Sequence, residues 1–262
     1  MFPKLISIGS FFIPTYGTLV ALGFLAGLWV TIRLARQAKL PAEPVTNLAI
    51  YCALAGLAGA KLFMILFDFR EYWEKPGRLF SLDTLQAAGV YQGGFLLALL
   101  TAILYMRRNR LPILETCDVF APGIILGQSI GRLGCLAAGC CWGTECHLPW
   151  AITFKSLDAQ GLTGVPLGVP LHPAQLYETL ADALIFVALY YMIRKPHFAG
   201  AIIGGYLALY STARFTIEFF RFHEQGLHAG LSLTQWISLV TLAAGIWLLV
   251  TRRGAPKLAL ST

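Results

Sequence analysis

The stretch LSLTQWISLVTLAAGIWLLV, Leu231 to Val250, carries no charged residue from end to end. As a helix it would rise about 30 Å, the thickness of a bilayer's hydrocarbon core. Six further apolar runs can be marked off between charged or proline-bearing breaks: Phe11 to Ile32, Val45 to Phe67, Ala88 to Met106, Val119 to Trp142, Ala174 to Ile193 and Gly200 to Phe219. None alternates with the two-residue period of a barrel strand, and backbone groups in lipid must be satisfied within their own segment, so helices are predicted. Composition agrees. Apolar residues make up 57% of the chain and charged ones 13%, with a mean hydropathy of +0.67, against about 25% charge in soluble domains. The expected fold is all-α, a polytopic membrane protein with about seven transmembrane helices, forming a single transmembrane domain over residues 1–262.

A net charge of +7 invites a nucleic-acid reading, but the distribution of the charge argues against one. Arg33, Arg36 and Lys39 follow the first run, Arg107, Arg108 and Arg110 the third, Arg194 and Lys195 the fifth, and Arg252, Arg253 and Lys257 the seventh. With seven spans all of these fall on one side. Lys4, Arg70, Lys75, Arg78 and Lys155 fall on the other, where Asp68, Glu71, Glu74 and Asp83 offset them. The positive-inside rule then puts the N-terminus outside and the C-terminus in the cytoplasm. The first run lacks the layout of a cleavable signal peptide and is expected to remain as an anchor. A bacterial inner membrane is the expected location.

Two longer links face the outer side in this topology. Asp68 to Ala87 carries tyrosine and tryptophan beside charges, a composition suited to a membrane interface. Residues 143–173, between spans 4 and 5, are rich in proline and glycine, with PWAITF (149–154) as a short strand. Such a loop is either a cap over a site or a passive connection.

Charge inside the membrane is costly and marks function by default. Arg132 stands midway along the fourth run, in GQSIGRLGCLAAGCCWG (127–143), and needs an aqueous cavity or a carboxylate such as Glu178 or Glu218. Gly131, Gly134 and their neighbouring glycines let either a backbone or a ligand approach closely. In LGVPLHPAQLYE (167–178), Pro173 suits the first helical position with His172 at the cap, and spacing by three places His172, Gln175 and Glu178 near one face. In ARFTIEFFRFHEQG (213–226), Arg214, Glu218 and Arg221 form a basic, acidic, basic row on a helix. Arginine's planar, permanently charged fork matches a phosphate. The three clusters together suggest a lipid-accessible pocket for an anionic head group.

These motifs, in this order, resemble the prolipoprotein diacylglyceryl transferase family. The likeness extends to PTYGTLVALGF (14–24), GLAGAKLF (56–63), GVYQGGFLLAL (89–99) and LSLTQWIS (231–238), and so covers nearly the whole chain. It implies a seven-span fold with the orientation that the charges predict. It also implies transfer of the diacylglyceryl group of phosphatidylglycerol to the lipobox cysteine thiol of a preprolipoprotein, with a thioether and glycerol phosphate as products. Arg132 then takes the phosphate-binding role and Arg214 matches a second essential arginine. Tyr16, His172, Glu178, Glu218 and Arg221 fall on pattern positions, and Gly131, Gly134 and Gln175 are substrate-binding candidates. The partners implied are membrane lipid, phosphatidylglycerol and the lipobox segment. No nucleic acid, cofactor or metal is expected, and the chain is expected to act as a monomer.

Two departures stand out. Gln92 occupies a position where many family members have histidine, and an amide cannot accept a proton. Cys135 and Cys140 stand where the commoner pattern has Asn and Glu. With Cys141 and Cys146 they spell C-x4-C-C-x4-C, which is no recognised zinc set. A disulfide such as Cys135 to Cys146 and a group of small buried thiols are both open. The cysteines motivate one other reading, a membrane thiol-disulfide oxidoreductase. Gln92 motivates another, a lipid-binding or transport protein that keeps the fold without the chemistry.

Overall fold

The computed structural model describes residues 3–8, 11–75, 77, 81, 84, 89–222, 226–227, 229–254 and 256–258, and the apolar runs are helices. They are α1 (Thr15–Gln37), α2 (Ala42–Phe67), α4 (Tyr91–Arg108), α5 (Ile113–Ala138), α7 (Ala174–Ile193), α8 (Ala201–Glu218) and α9 (Leu233–Thr251). Two short helices, α3 (Phe69–Glu74) and α6 (Leu157–Thr163), lie in the links. Five of the long helices, α1, α2, α5, α7 and α9, are long and apolar enough to cross a membrane. The remaining two, α4 and α8, have 18 residues each, a rise of about 27 Å. The chain is thus mostly helical, with a composition and helix lengths consistent with a polytopic membrane protein.

Some boundaries differ from the expected ones for local reasons. Phe11 to Ile32 is not helical throughout: β2 (Phe11–Pro14) pairs antiparallel with β1 (Lys4–Ile8), and α1 begins after Pro14. The fourth helix starts at Ile113 rather than Val119, because Glu115 and Asp118 read as a break although both sit in helix. It stops at Ala138 rather than Trp142, because Gly139 adopts a φ of +82°, a left-handed turn that ends a helix. Arg78 and Asp83 of the first long link lie outside the described residues.

The helices form two compact units. One, residues 40–116, is built on α2 and α4, which run antiparallel with glycine against glycine. A β-carbon on Gly59 would stand 2.5 Å from the Gly93 carbonyl oxygen, and one on Gly94 would stand 2.8 Å from that of Gly56. Small residues let backbones approach and gain dispersion contact where lipid supplies no hydrophobic drive. Leu57 and Leu62 of α2, and Leu96 and Leu100 of α4, point outward, as lipid-facing side chains do.

The other unit comprises residues 1–39 and 117–262. Here α1 lies antiparallel to α5 through the same device: a β-carbon on Gly23 would meet the Gly127 carbonyl oxygen at 2.6 Å. Between α8 and α9, Gly204 and Gly245 face each other, and the Ser211 and Thr241 hydroxyls share a hydrogen bond of 2.6 Å. Buried Asp118 of α5 organises the start of α8, accepting hydrogen bonds from the backbone N–H groups of Gly200 (2.7 Å), Ile202 (3.0 Å) and Ile203 (2.8 Å). A carboxylate suits this place because the first amides of a helix have no partners of their own and carry the positive end of its dipole.

The link between α5 and α7 is a packed body. β3 (Ile152–Thr153) pairs antiparallel with β4 (Pro170–Leu171), confirming a strand within PWAITF. Phe154, Ala159, Val165 and Leu171 form a buried core beneath Trp142 and Val169. Thr163 donates to the Gly139 carbonyl oxygen at 3.0 Å, and Lys4 of the N-terminal hairpin pairs with Asp158 of α6 at 2.8 Å. Asp118→Ala leaves three buried amides without an acceptor. It should lower stability by about 2 kcal/mol, read as a fall in thermal midpoint in detergent, with Glu115→Ala near neutral as the comparison.

Candidate functional site

A carboxylate placed at the apolar centre of a helical unit needs cations beside it, and Glu178 has three. It enters through α7, one turn past the helix start, and is almost wholly buried. Its Oε2 lies 2.5 Å from Nε of Arg132 on α5. Its Oε1 lies 2.7 Å from Nη1 of Arg221 and 3.6 Å from Nη1 of Arg214 on α8. A second buried carboxylate, Glu218, is 2.8 Å from Arg214 and 3.7 Å from Arg221, and accepts a hydrogen bond from Ser232 at 2.9 Å. Three guanidinium groups therefore meet two carboxylates, leaving one net positive charge in the contact network. The Arg132–Glu178 and Arg214–Glu218 pairs fall outside hydrogen-bond alignment, since the Glu178 and Glu218 Oε2 atoms and Arg214 Nη1 make no hydrogen bond. Charge attraction holds these pairs.

The expected row on α8 is present in altered form. Arg214 and Glu218 are one turn apart on the helix. Arg221 lies beyond its end, where it bridges to Gly143 as short antiparallel backbone pairing. That pairing stitches the three motifs together. Gly143 N–H donates to the His172 carbonyl oxygen (3.1 Å), Thr144 N–H to Phe220 (2.9 Å), His172 N–H to Thr144 (2.9 Å) and Phe222 N–H to Trp142 (3.2 Å). Only glycine fits at 143, because a β-carbon there would stand 2.5 Å from the His172 β-carbon and 2.6 Å from the Phe220 carbonyl oxygen.

His172, Gln175 and Glu178 do not act as one row. Pro173 is the N-cap rather than the first helical residue, with a non-helical ψ of 63°, so His172 precedes the helix by two residues. Its Nδ1 lies 3.2 Å from the Tyr177 hydroxyl, which also accepts from Trp150 at 2.8 Å, and its ring packs on Phe220. Buried Gln175 donates to the Cys140 carbonyl oxygen at 2.7 Å and so shares with Glu178 the face turned to α5.

The glycines divide by role. A β-carbon on Gly134 would touch Tyr16 at 3.3 Å, so this glycine seats Tyr16, whose side chain lies within electrostatic reach of Arg132. At Gly131 the nearest atom a β-carbon would meet, from Val20, is 4.0 Å away, an ordinary contact, so this position is not tightly packed. Gln92 lies in the other unit, exposed in the first turn of α4. Asp182, one turn beyond Glu178 on α7, is a buried carboxyl missed at the sequence level. It is coupled electrostatically to Arg132 and Arg214 but makes no ion pair within 4 Å among the described residues. Its signal was the spacing of four from Glu178, an acid deep in an apolar run.

All six cysteines are free thiols, so Cys135 and Cys146 are not joined. The sulfur of Cys135 instead has those of Cys140 and Cys141 for neighbours, all three within 4.8 Å of one another. Removing the pivot should be far costlier than trimming one arginine. Glu178→Ala leaves three buried guanidinium groups short of an acceptor and should cost about 3–5 kcal/mol, measured by thermal unfolding in detergent. Gly143→Ala, which touches no charge, should unlatch the three motifs and be detected as faster proteolysis within 143–173.

The family model described as prolipoprotein diacylglyceryl transferase matches residues 3–251. The chain is 33% identical over 259 residues to the phosphatidylglycerol--prolipoprotein diacylglyceryl transferase of Methylobacillus flagellatus, covering 95% of each chain. It is 29% identical over 247 residues to the protein of the same name from Clostridium tetani, covering 94% of this chain and 96% of the relative. A third protein of that name, from Synechococcus elongatus, is 30% identical over 264 residues, with 97% of this chain and 90% of the relative covered. By the near-complete match of the family model and of these relatives, the chain belongs to the prolipoprotein diacylglyceryl transferase family.

Proposed function

We infer that this protein transfers the diacylglyceryl group of phosphatidylglycerol to the lipobox cysteine of a preprolipoprotein, the first step of bacterial lipoprotein maturation. The observation that carries the reading is the arginine triad, three cations held against two carboxylates where the three motifs meet. The reaction breaks a carbon–oxygen bond as sulfur attacks carbon, and negative charge collects on the departing glycerol phosphate. Fixed cations aimed at those oxygens stabilise the transition state more than the ground state. In this reading Arg132 takes the lipid phosphate, and Arg214 and Arg221 support the charge that develops on the leaving group. Glu178 and Glu218 position the arginines. Tyr16 and Gly134 line the approach to Arg132, Gln175 holds the turn at Cys140, and His172 with Tyr177 forms a wall beside the site.

The same reading places the chain as a monomer in a bacterial inner membrane. All seven long helices span it, the N-terminus is outside and the C-terminus cytoplasmic. Residues 143–173 form an extracytoplasmic cap, a role supported by their own packed core. The charge asymmetry of the links supports the orientation.

Complementation of a strain depleted of its own transferase tests the reading, with mass spectrometry of a reporter lipoprotein. The expected result is a gain of one diacylglyceryl unit on the lipobox cysteine. A reporter that stays unmodified while the protein is folded in the membrane would overturn it, and a disulfide-bonded product would indicate thiol-disulfide exchange instead. Arg132→Ala should lower the rate by at least about 10²-fold, as loss of an oxyanion-type donor does. Arg132→Lys should recover only part, because a point charge replaces a two-pronged fork.

A further inference from the structure

The thiol cluster is not absorbed by the phosphate site, and its geometry has a definite origin. Gly139 closes α5 in a Schellman turn: Cys140 N–H donates to the Cys135 carbonyl oxygen at 3.0 Å, and Gly139 N–H to Leu136 at 3.3 Å. In that turn the side chains of the first and last residues, here Cys135 and Cys140, come together. Cys141 then takes a φ of +61°, a left-handed conformation uncommon outside glycine, and its sulfur completes the triangle. All three sulfurs lie within 4.8 Å of one another, Cys135 buried and the other two half-buried. Three thiolates about 2.3 Å from one zinc ion would sit about 3.8 Å apart, so the triangle needs little closure. An odd number of thiols suits a metal better than a disulfide, which would strand one of them.

We propose that Cys135, Cys140 and Cys141 hold a zinc ion whose fourth position takes the substrate's cysteine thiol and activates it as a thiolate. The proposal rests on the transferase reading above. Among the described residues this ligand group contains three donor atoms, and three protein ligands with one exchangeable position is the pattern of catalytic zinc. A thiol loses its proton on coordination, so no basic side chain has to take it, and Gln92 could not. The charges of Arg132 and Arg221 are felt at Cys141, so the metal would lie within electrostatic reach of the cations assigned to the phosphate. The single surplus positive charge of the arginine network offsets only part of the −2 carried by zinc with four thiolates. The step balances: the thiol proton passes to water on binding and the sulfur lone pair forms the new carbon–sulfur bond. The carbon–oxygen bond breaks with its electron pair on glycerol phosphate, and no electron is gained or lost by the metal.

The test uses the full chain in detergent with its thiols reduced. Zinc content should be one per chain, and the cobalt(II) form should show thiolate-to-metal charge-transfer absorption. A lipobox peptide should alter the cobalt spectrum, and its Cys→Ser version should not. Cys135→Ser, Cys140→Ser and Cys141→Ser should each weaken metal affinity at least about tenfold, the low end of what losing even a supporting partner costs. Cys52→Ser and Cys117→Ser should leave it unchanged. Folded, reduced protein that binds neither zinc nor cobalt overturns the site, as does binding that survives loss of all three cysteines. A cobalt spectrum indifferent to the peptide overturns the open fourth position. Lipidation at full rate after metal is stripped overturns the activating role while the transferase reading stands. Lipidation absent in both zinc-loaded and stripped protein overturns the transferase reading and, with it, the activating role, though the measured metal content is untouched.

Discussion

Glu178 is the constraint around which the larger unit is arranged. A single buried carboxylate accepts Arg132 from α5, Arg214 from α8 and Arg221 from the strand-like segment after α8. None of these groups is tolerable alone in an apolar interior, because ionised side chains lose their hydration there and regain it only from one another. The network therefore fixes the relative positions of three elements more firmly than the apolar contacts around it, which tolerate sliding. It also leaves the network one positive charge in excess.

The surroundings follow from that pivot. α5 can present Arg132 only if it lies close to α1, which the facing glycines at 23 and 127 permit. α8 can present Arg214 only if its start is anchored, which Asp118 does through three backbone amides. The 143–173 segment is bound to the arginine network through backbone hydrogen bonds at Gly143, His172 and Phe220. The segment carries a small core of its own, Phe154, Ala159, Val165 and Leu171.

The helices were legible because membrane spans announce themselves by length and by the absence of charge. Their ends were less so. Gly139 could have been read as a helix terminator, but the apolar run continues through it to Trp142, and hydropathy cannot see a change in φ. The arginines were legible as intramembrane charges, and Glu178 and Glu218 were named as partners, yet which carboxylate meets which arginine depends on helix rotation. His172 was misjudged as part of a row with Gln175 and Glu178, because a one-residue shift in the helix start turns a side chain about 100° around the axis.

The amino-acid sequence by itself determined a mostly helical chain with apolar runs fit to cross a membrane, and the charged residues that interrupt those runs. Each of those depends on composition along the chain. Only the tertiary structure decided that Glu178 serves three arginines at once, that Gly143 must be glycine, and that three cysteines judged by spacing to be no metal set converge within 4.8 Å. The physical reason is the same for each: they are meetings between elements, or across a reversed turn. Their geometry is set by close backbone approach and by a φ of +82° at Gly139 and +61° at Cys141, which no count of intervening residues records.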